Sequence, residues 1–304
     1  MEIILKLKPI MKCIGFTCAF LGIYYGAQLI SSMIAGVAIM VPMLTSTGGI
    51  VDPSTITSKI TDSLGGMMPY ILILAIAISI LCYFFIQKGR KTSLLKSFDF
   101  KKLSILHTAA LAIFALSFNF ALQYVMDYLS KLGALEQIFN QYSKLINMII
   151  GGSFWLNLLT VGILVPIFEE LLFRGLVYTE LRKVSKVTIA IVIQGLLFGV
   201  YHMNIIQGAY AAILGIVLGY VYYKFKTILA PIVIHIVLNS SSVLLSTSLG
   251  EKFITKYNSI IQISSPIILI VIFAIIVFVF KKEQDSKDLQ GATNVGDIIL
   301  TDLN

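Results

Sequence analysis

Charge is the scarcest property of this chain. Only 12% of its 304 residues are charged, against 58% hydrophobic. A soluble domain carries about twice that share of charge, so a water-soluble globule is excluded. Cysteine is also rare. Cys13, Cys18 and Cys82 lie in or beside apolar runs and form no CxxC pair, which leaves neither a disulfide framework nor a zinc knuckle. There are three arginines (Arg90, Arg174, Arg182) and three histidines (His107, His202, His235), and none of the histidines opens an HExxH motif. No basic stretch is interleaved with aromatics, so the net charge of +8 does not indicate nucleic acid.

What is present is a ladder of apolar runs of about 20 residues, the length that crosses a bilayer. The runs predict an all-α, polytopic membrane bundle of about eight helices, at 14–41, 70–87, 103–129, 154–178, 187–203, 205–223, 227–248 and 260–280. The division at Met203-Asn204 is the least marked. The first run is too long for the apolar core of a signal peptide. Residues 1–282 read as one membrane domain and 283–304 as a polar tail. Residues 44–69, rich in Ser, Thr, Gly and Pro, read as an outer loop. With the N-terminus inside, 17 Lys and Arg fall on the inner side and 5 on the outer, with Arg174 inside a span. The positive-inside rule therefore puts both termini in the cytoplasm. Gly195/Gly199 and Gly215/Gly219, four residues apart, predict close helix approach.

The fourth span holds Glu169, Glu170 and Arg174 in Pro166-Ile-Phe-Glu-Glu-Leu-Leu-Phe-Arg-Gly175. Unpaired in hydrocarbon, they would together cost roughly 8–10 kcal/mol. On a helix, Glu170 and Arg174 lie within ~40° of each other, whereas Glu169 is ~140° from Arg174. Glu170–Arg174 is the expected ion pair, and Glu169 is the carboxylate left over, a candidate general base. A span ending near Phe168 would instead put these charges at the interface. The apolar pattern continues through Phe173, Leu176, Val177 and Tyr178, against that alternative. Pro166 removes the N–H that would meet the Gly162 carbonyl.

His202 closes the fifth run in Phe198-Gly-Val-Tyr-His202. His235 and Asn239 stand four apart in the seventh, on one helix face. Imidazole and amide can both donate to a developing oxyanion. His107, beside Lys101 and Lys102, reads as interfacial. Depth is a difficulty. In straight helices normal to the membrane, Glu169 and His235 lie ~13 Å from the inner ends of their runs and His202 ~22 Å. A tilt, a later helix start or a broken helix is needed to bring them together.

Glu169-Glu170…Arg174, Phe198…His202 and His235…Asn239, in that order on successive spans, resemble the CAAX protease and bacteriocin-processing family, which includes the Ras-converting CAAX endopeptidase. The resemblance covers about 166–239. It implies an intramembrane endopeptidase acting on a peptide or protein substrate, in a cavity open to the cytoplasm. Glu169 and His202 would activate water, His235 and Asn239 would form the oxyanion hole, and Glu170 and Arg174 would support the site. The favoured mechanism needs no cofactor. Glu169, His202 and His235 could instead supply a zinc site. Two other readings stay open: an ion-coupled transporter, since intramembrane Glu and His also relay protons, and a non-catalytic bacteriocin immunity protein of the same fold. The transporter reading lacks an inverted repeat. Twenty Lys to three Arg, with abundant Ile, suggests a low-GC bacterium and so the bacterial plasma membrane.

Overall fold

The computed structural model describes residues 2–46, 53–93 and 98–279, and among them there is no strand. Among the described residues nine helices follow one another: α1 (Glu2–Ser46), α2 (Pro53–Gly89), α3 (Ile105–Ser130), α4 (Glu136–Ile149), α5 (Phe154–Arg182), α6 (Val187–Tyr201), α7 (Ile205–Phe225), α8 (Leu229–Leu245) and α9 (Ser248–Ala274). All but α4 are apolar and match the expected spans in order. Among the described residues, six are long and apolar enough to cross a membrane. The other two, α6 and α8, have 15 and 17 residues. At ~1.5 Å per residue they reach ~22 and ~25 Å, short of a ~30 Å hydrocarbon core.

Several boundaries differ from the sequence reading, among them the start of α1 at Glu2 instead of residue 14. Residues 53–69, expected in a loop, begin α2, with Pro53 in the first turn, where its missing N–H costs nothing. α9 starts at Ser248, a dozen residues early, capped by the Thr247 side chain on the Gly250 N–H. α4 was not foreseen. Phe139, Tyr142, Ile146 and Ile149 recur along one of its faces, the amphipathic signal of a helix lying on a core. The tail 283–304 lies outside the described residues.

The weak division at Met203-Asn204 is a sharp turn. Met203 adopts a left-handed φ of 51°, and the Asn204 side chain accepts from the Ile206 and Gln207 N–H groups to start α7. The glycine expectation also holds. α6 and α7 meet along Gly195, Gly199, Gly208 and Gly215, and a methyl on Gly208 would stand 2.9 Å from the Gly199 oxygen. Gly219 faces the Gln194 amide.

Two apolar clusters flank the middle of the bundle. One joins α1, α2, α5 and α6 through Phe20, Tyr24, Tyr83, Phe168, Phe173 and Phe198. The other joins α3, α7, α8 and α9 through Leu111, Phe114, Leu218, Ile234 and Ile276. α5, carrying the three ionisable groups, runs between them.

Candidate active site

α5 is not a uniform α-helix. It passes through π-helical turns at Thr160–Leu164 and Leu171–Val177, a distortion frequent at functional sites. The first has a cause in the sequence. The Val165 N–H reaches back five residues to the Thr160 oxygen. In that register the partner of the Val161 carbonyl is residue 166, a proline. In the ordinary register residue 166 is also the partner of Gly162. Pro166 thus withdraws a donor from both carbonyls. α8 replaces it twice: Asn239 Nδ2 donates to the Val161 oxygen at 3.1 Å, and Ser240 Oγ to the Gly162 oxygen at 3.0 Å. Ser240→Ala is expected to cost about 1 kcal/mol, and less in a Pro166→Ala background, where the N–H returns. Thermal unfolding in detergent of the two singles and the double measures this. Equal costs in both backgrounds would separate Ser240 from Pro166.

The expected ion pair is present. Arg174 Nη1 donates to Glu170 Oε1 at 2.9 Å, with both side chains fully buried. Arg174 Nη2 donates to the Gly215 carbonyl at 2.9 Å, and the guanidinium lies 5.0 Å from the Phe198 ring centre. Gln194 Nε2 shares the Gly215 oxygen. The second π turn and the α6–α7 seam therefore hold this cation together.

Glu170 has a further partner that spacing alone does not reveal. Its Oε1 stands 2.7 Å from His235 Nδ1. A carboxylate paired with arginine only accepts, so Nδ1 carries the proton. His235 Nε2 then turns to Glu169 Oε2, 3.6 Å away. His202 has the same orientation by another route. It caps α6, and its Nδ1 bonds the Phe198 carbonyl at 2.8 Å, one of the carbonyls a helix end leaves open. Its Nε2 is thereby left as the acceptor.

The depth difficulty is resolved in two places. α5 continues to Arg182, so Glu169 lies about 13 residues from its end, ~20 Å, close to the ~22 Å of His202. α8 begins inside the protein instead of at its surface. Thr227, Ile228 and Ala230 are buried, and residues 99–101 lie across them through Ile228 N–H to the Asp99 oxygen and Thr227 Oγ1 to the Lys101 oxygen, both at 2.8 Å. His235 is consequently deeper than its position in α8 suggests. His202 and His235 stand edge-on to the same Phe198 ring, at 4.9 and 5.7 Å between centres.

Both histidines and Asn239 line a cavity of about 360 Å³. Glu169 is not in its wall. Its Oε2 stands 3.6 Å from Nε2 of His235, which does line the cavity, and 8% of its side chain is exposed. Tyr24 of α1 and Tyr83 of α2, outside the motif region, pack on Phe168 at 4.6 and 6.1 Å and brace the residue before Glu169. Asn119 of α3 was not foreseen. It donates to Ser241 Oγ at 2.7 Å and accepts from Ser242 Oγ at 3.2 Å, tying α8 just beyond Asn239. Its signal is a lone amide between Phe118 and Phe120. His107 stays at the start of α3, beside Ser104, apart from the site.

Bonded Nδ1 and free Nε2 is also how metal-bound imidazoles are held. The zinc alternative further requires three donors converging on one point. Among the described residues no group of three or more His, Cys, Asp or Glu is gathered closely enough to hold a metal ion. Glu169, His202 and His235 do not fit one as they stand.

Residues 151–241 match the family model described as Type II CAAX prenyl endopeptidase Rce1-like. The match contains all three motifs. No curated protein and no solved structure matches the chain.

Proposed function

We propose that this integral membrane protein, whose Rce1-like segment supports a CAAX-type intramembrane endopeptidase in general, hydrolyses a peptide bond of a membrane-associated peptide or protein with Glu169, His202, His235 and Asn239. One observation carries the reading: His202 and His235 share a cavity, and Glu169 Oε2 lies 3.6 Å from His235 Nε2.

Water attacks the scissile carbonyl as Glu169 takes one of its protons. His202, with its Nδ1 proton occupied by the Phe198 carbonyl, offers Nε2 as the second acceptor that aligns this water. The carbonyl oxygen becomes an oxyanion. Asn239 holds one amide hydrogen on Val161 and has a second to give. His235 can donate to the oxyanion from Nε2 only as the imidazolium, since Nδ1 already faces Glu170; Glu170 supplies its compensating charge, because Glu169 is neutral once it has taken the water proton. When the tetrahedral intermediate collapses, the C–N bond breaks and the proton held by Glu169 passes to the leaving amine. Glu170 and Arg174 position these groups without touching substrate. The chain is assigned to a bacterial plasma membrane, with both termini cytoplasmic.

The test is cleavage of a peptide library by the detergent-solubilised protein, read by mass spectrometry. Wild type cleaves a subset, and His202→Ala lowers the rate about 10²-fold or more. Proton-coupled flux in liposomes without any cleavage would instead favour a transporter.

A further inference from the structure

We propose that the catalytic cavity opens on the non-cytoplasmic side of the membrane, the reverse of the cytoplasmic opening that the family resemblance implies, and that the substrate is a peptide segment presented at that face. This rests on the endopeptidase reading for the word substrate, but not for the direction of the opening.

The direction follows from which ends of the helices build the cavity. Its wall takes Gln123 and Met126 from the end of α3, Ile149 from the end of α4, His202 from the end of α6, Gln207 from the start of α7 and Ser246 from beyond α8. Helices joined by short connections alternate in direction, so all of these lie at one end of the bundle. That end carries the 130–153, 202–205 and 246–248 connections. The opposite end carries 88–93, 98–104, 183–186 and 226–228, together with the start of α1. Among the described side chains, 12 Lys and Arg belong to this second end and 4 to the first. The positive-inside rule places the charge-rich end in the cytoplasm, and the cavity on the other side.

The cytoplasmic end is closed beneath the site. Arg174 and Glu170 are fully buried. Leu218 and Ile228 are fully buried below them. Phe98 lies so tightly on Gly175 that a side chain there has no room. Arg90 and Lys183 both clamp Glu180 at 2.7 Å. A hollow at that end touches Gly175 and Leu176 but none of Glu169, His202 or His235.

The open end suits a peptide. Amides and hydroxyls of Asn119, Gln123, Gln207 and Ser242 alternate with apolar side chains, and among the described residues no Asp, Glu, Lys or Arg lines the cavity. An extended backbone needs such partners for its N–H and C=O groups. The apolar face of α4 roofs the space, its Tyr142 hydroxyl 3.4 Å from that of Tyr210 on α7.

Cysteine accessibility in intact cells tests this without requiring activity. In a chain with Cys13, Cys18 and Cys82 replaced by alanine, single cysteines are placed at Lys131, Gln207 and Lys186. A membrane-impermeant maleimide is expected to label Lys131→Cys and Gln207→Cys in intact cells, and Lys186→Cys only after permeabilisation. Denatured samples give the full signal for each. Labelling of Lys186→Cys alone in intact cells overturns the sidedness. Labelling of Lys131→Cys with Gln207→Cys reactive only in denaturant overturns the opening. The same substitutions in the wild-type background, read against its own three cysteines, decide the matter if the cysteine-free chain is not expressed. Either failure leaves the cleavage assay untouched, and an inactive protein leaves the labelling untouched.

Discussion

Glu169→Gln is expected to leave the protein folded and to lower peptide cleavage by about 10²–10⁴-fold, the range supplied by a positioned acid–base group. The two halves of this result have different causes. The fold survives because Arg174 bonds Glu170 and the Gly215 carbonyl and makes no hydrogen bond to Glu169. Removing the charge of Glu169 therefore strands no cation, and Gln keeps the volume beside Phe168. Activity falls because an amide cannot take the proton of the attacking water. Cleavage rate and thermal unfolding, measured on the same detergent preparation, separate the two. A variant that cleaves at the wild-type rate would show that Glu169 is not the base. One that unfolds would show that its role is structural.

Arg174→Met should do the reverse, destabilising the protein by about 3–5 kcal/mol, the cost of breaking a buried ion pair by removing one partner. Glu170 would keep its charge in a fully buried position with only His235 beside it. Adding Glu170→Gln removes that stranded charge, so the double variant should be more stable than Arg174→Met alone. Its cleavage would stay low, because His235 loses the carboxylate that orients its ring. Thermal unfolding of the two variants decides the point. An Arg174→Met protein as stable as wild type would mean that the guanidinium does not compensate Glu170.

The sequence made local geometry readable and left the meeting of distant helices obscure. The Glu170–Arg174 pair was legible because four residues of helix bring two side chains together whatever surrounds them. The carbonyl freed by Pro166 was legible for the same reason, as was the close approach at Gly195 and Gly199. The match over 151–241 agrees with the motif resemblance. The contact of Glu170 with His235 is 65 residues long-range, and nothing in the local period of either helix indicates it. The π register that exposes Val161 as well as Gly162 was equally hidden, because its effect appears only where α8 answers it. Depth was misjudged for two reasons: α5 was ended at residue 178 instead of Arg182, and α8 was taken to start at the membrane surface. α8 starts beneath residues 99–101 instead, and no hydropathy profile distinguishes a recessed start from a surface one. α4 escaped because its apolar residues are spaced along one face and never form a run.

The paired bonds from Asn239 and Ser240 to Val161 and Gly162 act as a detent between α5 and α8. To slide α8 by one turn, ~5.4 Å, both carbonyls would have to go without donors in hydrocarbon, where each unmet group costs several kcal/mol. Axial travel of the helix bearing His235 is thus blocked, and with it any gating that works like a piston. Whatever yields to admit a peptide must come from the roof, where α4 rests on α7 through two tyrosines and few charges. The catalytic groups belong to the fixed part of the molecule, and the entrance belongs to the part that can give way.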